Sequence, residues 1–319
     1  MDYEFAPMEG ITDWRYRRAH SRAFSGVDRY YMPFLSPGQG HAFTRREKEE
    51  IDPAHNAGVR VVPQLLTRRA EDFLWAAGEL AALGYREVNL NLGCPSGTVT
   101  AKGKGAGFLA RPEELEAFLD AIFSAGLPIA ISVKTRLGMR SEEEFPALLA
   151  LYNRYPIARL IIHPRVREDY YRRPVRPGAF VRALGESRNP VGYNGDLVTA
   201  EDCRRAERTW PELASLMAGR ALVGDPALFR KARGGPPASK EELERFHGEL
   251  YETYAAAFGS RRNAMLRMKE LWFYHIHLFR DGEKYGKHLK KARDPAEFEA
   301  WSAAAYRDLE LLEDLPRVQ

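Results

Sequence analysis

Short β-rich runs alternate with amphipathic helical stretches eight times along the first 235 residues, and that rhythm restricts the fold more than any composition figure. The runs lie at Phe5–Met8, Arg29–Phe34, Val59–Leu66, Glu87–Leu92, Ile129–Thr135, Leu160–His163, Pro190–Tyr193 and Leu216–Ala218. Several are nearly continuous apolar stretches, such as Ile129-Ala130-Ile131-Ser132-Val133, as parallel strands covered on both faces require. Between them, helices are expected over Arg69–Leu83, Pro112–Ala125, Glu142–Tyr155 and Thr199–Arg208, with starts such as Ser141-Glu142-Glu143-Glu144. The second and sixth helices are the faintest, because Arg45–Ile51 is short and Tyr170–Pro177 is rich in Arg and Pro. Eight such repeats imply an α/β protein built as a (β/α)8 TIM barrel over residues 1–235.

Beyond Arg233-Gly234-Gly235-Pro236-Pro237 the pattern changes to helix alone: Ser239–Phe258, Ser260–Phe279, Lys284–Arg293 and Pro295–Glu313. Residues 236–319 therefore read as a C-terminal all-helical domain. Met265, Met268, Leu271, Trp272, Ile276 and Phe279 recur at three-to-four-residue spacing, which marks a core stripe. From Arg261 to Arg293 there are ten Lys/Arg, among them Lys287, Lys290 and Lys291, against three acids. Such an excess suits a polyanionic partner, or equally a solvated basic face.

An apolar share of 45% supports a large core, and no apolar run approaches the ~20 residues that cross a bilayer. The acidic start Met1-Asp2-Tyr3-Glu4 enters a strand at once, so no secretory leader is expected. Two cysteines far apart in the chain make a poor disulfide framework, which points to the reducing cytoplasm.

In a barrel, the loops after the strands surround one open mouth, and polar and glycine residues gather at those strand ends. They are Pro7 and Met8, Gln64, Asn91 to Cys94, Lys134 and Arg136, His163 and Arg165, Asn194-Gly195-Asp196, and Gly219-Arg220. The run Asn89-Leu90-Asn91-Leu92-Gly93-Cys94-Pro95 places a thiol directly behind a strand. There it could donate a proton, attack a substrate or bind a metal. A metal role is not expected, because no second cysteine or His-rich spacing accompanies it. A thiol of ordinary pKa, near ~8.5, is protonated at neutral pH and can serve as an acid. Cys203 sits within a helical stretch and reads as inert.

The remaining strand-end residues suit flavin binding. Backbone N–H groups after strands seven and eight, with Arg220, can meet a phosphate. Gln64 offers a donor and an acceptor to a ring amide edge, and Lys134 can offset negative charge on a reduced ring.

Taken together, Ala6-Pro7-Met8-Glu9-Gly10-Ile11-Thr12-Asp13, Asn91-Leu92-Gly93-Cys94-Pro95, Ser132-Val133-Lys134-Thr135-Arg136-Leu137-Gly138, Asn194-Gly195-Asp196 and Met217-Ala218-Gly219-Arg220-Ala221 resemble the tRNA-dihydrouridine synthases. The five motifs fall in that family's order and span the barrel. The resemblance implies FMN as cofactor and NADPH as reductant. A hydride passes to C6 of a uracil in tRNA or another structured RNA, and Cys94 protonates C5. It further implies that Pro7, Met8, Gln64, Lys134, His163, Asn194, Gly195, Asp196, Gly219 and Arg220 contact FMN. Asn91 and Arg136 would then lie on the substrate side, with Arg165 toward RNA.

The glycine-rich stretch Lys102-Gly103-Lys104-Gly105-Ala106-Gly107 lacks the strand–turn–helix context of a dinucleotide site. It is expected as a mobile substrate loop, with Lys102 and Lys104 near RNA phosphate. Two features depart from the family pattern. His163-Pro164-Arg165 stands where His-Gly-Arg is usual, and Val166–Pro177 is unusually rich in Arg and Tyr. Interleaved cationic and aromatic side chains suit an unpaired base and its backbone, or a surface loop folded on the barrel. Two other readings stay open: an FMN barrel reducing a free pyrimidine or small enoyl compound, and a non-catalytic RNA-binding relative. The chain is expected to act as a monomer.

Overall fold

The computed structural model describes residues 1–38 and 40–317. The strands are β1 (Asp2–Phe5), β2 (Arg29–Tyr31), β3 (Val61–Val62), β4 (Gln64–Leu65), β5 (Glu87–Leu92), β6 (Ala130–Arg136), β7 (Leu160–His163), β8 (Val191–Tyr193) and β9 (Ser215–Ala218). They form one sheet in the order β3-β2-β1-β9-β8-β7-β6-β5-β4. The two ends of that order, β3 and β4, are halves of one strand parted by Pro63, which has no N–H to give the ladder. On one side Met32 N donates to Val62 O (3.0 Å), and on the other Asn89 N donates to Pro63 O (2.8 Å). The sheet thus closes through the third of eight strand positions, as in a (β/α)8 barrel.

Helices fill the connections as expected, with informative shifts. β1 stops at Phe5 rather than Met8, because Pro7 cannot donate and Thr12 captures the next residues in a turn. Thr12 Oγ1 accepts from Met8 N (2.9 Å), and Ile11 N donates to Met8 O (2.9 Å). Pro7 and Met8 accordingly sit in that turn, beyond the strand. The expected sixth helix is displaced: Val166–Arg176 is a loop with one 3-10 turn, and the helix is Pro177–Glu186, its proline at the tolerated start. The fifth connection opens with a 3-10 turn over Glu142–Glu144, because the Glu144 carboxylate accepts from the backbone of Met139, Arg140 and Ser141. After Ala218 every regular element is a helix, and none among the described residues is long and apolar enough to cross a membrane.

Backbone contacts divide the chain into two compact units. The first comprises Met1–Asp2, Tyr31–Asp196 and Trp210–Met217, and carries β3 through β8. Its core includes the apolar face of the central strands, where Val88, Leu90, Leu92, Val133, Leu160 and Ile162 are fully buried.

The second unit comprises Tyr3–Tyr30, Leu197–Thr209 and Ala218–Gln319. Ser239 caps the helix Lys240–Phe258 through a reciprocal pair with Glu242, and Gly259 ends it at φ +60°, a conformation that suits glycine. This helix packs on Arg261–His275 and on Trp14–Ala23. Tyr16, Phe24 and Phe246 meet edge to face around buried His20. Cys203 is buried in the helix Ala200–Thr209, where loss of solvent raises its thiol pKa far above the usual range.

Candidate functional site

The site of the first unit is built on one polar face of β5. Side chains alternate along a strand, so Asn89 and Asn91 share a face while Val88, Leu90 and Leu92 take the other. Asn91 Oδ1 accepts from the backbone N–H of Gly93 (3.0 Å) and of Cys94 (2.9 Å). Because N–H groups only donate, that end of the amide is fixed as oxygen, and its NH2 must point the other way. Asn91 Nδ2 donates to Gln64 Oε1 (2.7 Å), Gln64 Nε2 to Asn89 Oδ1 (2.8 Å), and Asn89 Nδ2 to Ser132 Oγ (2.9 Å). Three amides across β4, β5 and β6 thus run in one direction and end on the loop that carries Cys94. Gln64 is fully buried with each polar atom engaged once, which leaves it one N–H and one lone pair.

Cys94 is half-buried and not in a disulfide. The loop behind it, expected to be mobile, is folded into a helical turn, Gly97–Thr100, and a 3-10 helix, Gly105–Ala110. Ala106 N donates to Cys94 O (3.0 Å). Gly105 has φ +57°, and a Cβ there would lie 2.9 Å from Cys94 O, so only glycine lets the loop fold back on the cysteine. Lys102 is exposed, whereas the Lys104 ammonium donates to Ser36 Oγ (3.0 Å) and has its pKa lowered, chiefly by burial.

The register brings the charged groups beside this loop: Asn91 pairs with Lys134, and Arg136 with His163. The Lys134 ammonium makes no side-chain hydrogen bond or ion pair among the described residues. Loss of solvent, with the Arg136 cation adding to it and Cys94 opposing, brings its pKa down to about 7. Arg136 is buried and donates to the carbonyls of Gly93 (2.9 Å), Val166 (3.0 Å) and Tyr170 (2.9 Å). Its guanidinium lies 5.3 Å from the centre of the Tyr171 ring, and its Nη2 is buried without a partner. Tyr170 reaches Arg136 because it adopts φ +50°, unusual for tyrosine, in a loop stapled by the ion pair of Asp169 with Arg176.

Arg165 lies under the same loop, bonded to His163 and to both oxygens of Asp196. Asn194 Nδ2 donates to Met217 O (2.8 Å). Gly195 follows Asn194, half-buried.

In the second unit, Gly219 precedes the short helix Arg220–Gly224, and a Cβ on it would come 3.2 Å from Ala6 Cβ and 3.3 Å from Met8 Sδ. Arg220 is exposed. Lys287, Lys290 and Lys291 are also exposed, on the helix Glu283–Lys291 anchored by buried Leu289.

Sequence reading gave no role to Asn89 or Ser132 and did not foresee the Asp169–Arg176 staple. A signal existed for the first: two asparagines at i and i+2 in an otherwise apolar strand must share a face.

Comparison with known proteins agrees with this geometry. The model of the family described as dihydrouridine synthase matches residues 4–308. A "Probable tRNA-dihydrouridine synthase" of Rhodobacter capsulatus is 27% identical over 278 residues, 84% of each chain. The "tRNA-dihydrouridine(16) synthase" of Ralstonia nicotianae is 30% identical over 236 residues, 72% of each. Among solved structures, morphinone reductase aligns with a TM-score of 0.53 at 12% identity, over 75% of this chain and 87% of that one, a likeness of fold. A closed parallel barrel, a cysteine held at the end of its strand β5, and a family match over nearly the whole chain agree: this protein belongs to the dihydrouridine synthase family.

Proposed function

We propose that this chain reduces uridine in tRNA to 5,6-dihydrouridine, with Cys94 giving the proton to C5. The observation that carries the reading is the amide chain that ends on Cys94 N and so fixes the thiol's loop beside Lys134. The names of the relatives support tRNA as the substrate.

A flavin fits the residues present. Among the described residues the Lys134 ammonium has no ion-pair partner, as expected of a group reserved for an anionic ligand. Gly219 keeps clear the space that a Cβ would take beside Met8. Pro7, Met8, Gln64, Lys134, His163, the Asn194-Gly195-Asp196 turn, Gly219 and Arg220 would hold FMN. When bound and reduced by NADPH, FMN supplies the hydride for uracil C6.

The chain's own residues do the rest. The Lys134 ammonium, which burial already disfavours, would offset negative charge developing in the site and be stabilised by it. Asn91 and Arg136 orient the uracil, and the Cys94 thiol loses its proton to C5 as the C5–H bond forms. Residues 1–235 would act as the catalytic barrel, and residues 236–319 as the RNA-binding domain, with Lys287, Lys290 and Lys291 on phosphate. Lys102 and Lys104 belong to the RNA side of this reading, and a cytoplasmic monomer completes it. Arg165, buried with its donors on His163, Asp196 and Arg173, does not reach RNA as the sequence led one to expect.

The test is direct. Purified protein should be yellow, bleach with NADPH, and form dihydrouridine in unmodified tRNA. Charge reversal at the three lysines should weaken tRNA binding and flatten its salt dependence, with flavin content unchanged. A colourless protein that cannot be reconstituted with FMN rejects the reading.

A further inference from the structure

His163, Pro164 and Arg165 form a compact device after β7. Arg165 N donates to His163 O (2.7 Å), an i to i+2 bond centred on Pro164. That turn needs no N–H from its central residue, so proline costs it nothing and stiffens it. Arg176 N closes the other side on Pro164 O (2.8 Å). The Arg165 side chain, 4% exposed, folds back so that Nη1 lies 3.1 Å from His163 Nε2. Its remaining donors hold the guanidinium plane: Nη1 to Asp196 Oδ1 (2.9 Å), Nη2 to Asp196 Oδ2 (2.6 Å) and Nε to Arg173 O (2.5 Å).

A guanidinium has only donors. His163 Nε2 must therefore carry its lone pair toward Arg165, and the ring proton belongs on Nδ1. A doubly protonated ring would set an N–H against the N–H of a cation. Also beside the ring are Arg136, its register partner on β6, and the Tyr171 ring, 5.8 Å away. The Asp196 carboxylate is shared with Arg165.

We propose that Arg165 and Asp196 are positioning residues that hold His163 neutral, with its proton on Nδ1. His163 then meets its ligand as an oriented neutral ring, and the Asp196 carboxylate also serves binding through Arg165. The significance of the device rests on the reading of His163 as a flavin contact, but its existence does not.

Side-chain 15N spectra of histidine-labelled full-length protein at pH 7 test it, with His163→Asn identifying the resonance among eight histidines. The wild-type protein should show Nδ1 protonated and Nε2 bare. Arg165→Lys should keep that pattern, whereas in Arg165→Met about half or more of the ring should carry its proton on Nε2. A protonated Nε2 in the wild-type protein overturns the proposal, and that reading requires no variant to fold. An unchanged tautomer in a folded Arg165→Met protein overturns it equally. The flavin role is judged separately: His163→Ala with full flavin content would remove that role and leave the tautomer result standing.

Discussion

Each unit of this protein contains a buried chain of directed hydrogen bonds, and the two are made of different groups. In the first, Asn91, Gln64, Asn89 and Ser132 pass from the Cys94 backbone across three strands. In the second, His247 Nδ1 meets Tyr306 Oη (2.5 Å), Tyr306 Oη meets His275 Nε2 (3.2 Å), and His275 Nδ1 meets Gly224 O (2.9 Å). The carbonyl can only accept, so His275 donates from Nδ1, the tyrosine donates to Nε2, and His247 donates to the tyrosine. Amides cannot titrate, whereas imidazoles can. The chain that ends on the Cys94 loop is therefore deaf to pH, and the chain that ends on a helix carbonyl is a structural latch that acid can open.

Breaking the amide chain should have the largest effect. Asn91→Ala leaves the Gly93 and Cys94 N–H groups and the buried Gln64 oxygen without their partner. Dihydrouridine formation should fall about 100-fold through a misplaced loop, with stability lower by roughly 1–3 kcal/mol. Full activity would show that the chain does not position Cys94. Breaking the latch should do the reverse: Tyr306→Phe should cost about 1–3 kcal/mol in denaturant midpoints and leave turnover per folded molecule unchanged.

The smallest effect separates the two by pH. Burial lowers the pKa of His275 to about 4, of His20 to about 3, and of His247 well below its usual value. An unfolded histidine takes its proton near ~6.5, so as pH falls below that value the unfolded chain binds protons that these folded rings refuse. Stability should then drop as pH falls from 6.5 to about 3. Asn91→Ala should keep that slope, and replacing His247 should reduce it. Equal slopes in both variants would contradict the assignment of the latch.

The contrast also separates what sequence can show from what only a fold can. β5 and β7 have the ends expected from their apolar runs, and the Cys94 motif marks its own strand mouth. β1 ends early because a side chain four residues on, Thr12, competes for Met8 N, a local rivalry that apolar patterning does not register. The longer links lie outside any window. Gln64 meets Asn89 25 residues away, Arg165 meets Asp196 at 31, and His247 meets Tyr306 at 59. Strand register and helix packing decide such pairs, and neither is written in a short motif. The His247 latch had no motif at all.

Single-turnover reoxidation of the reduced flavin by unmodified tRNA tests the role of Cys94 most directly. NADPH-reduced wild-type protein should regain flavin absorption as dihydrouridine appears one for one. Cys94→Ala should bind and reduce FMN equally well, yet reoxidise with tRNA at least ~100-fold more slowly and yield almost no product. Wild-type rates and full dihydrouridine yield in Cys94→Ala would contradict a proton donated by Cys94.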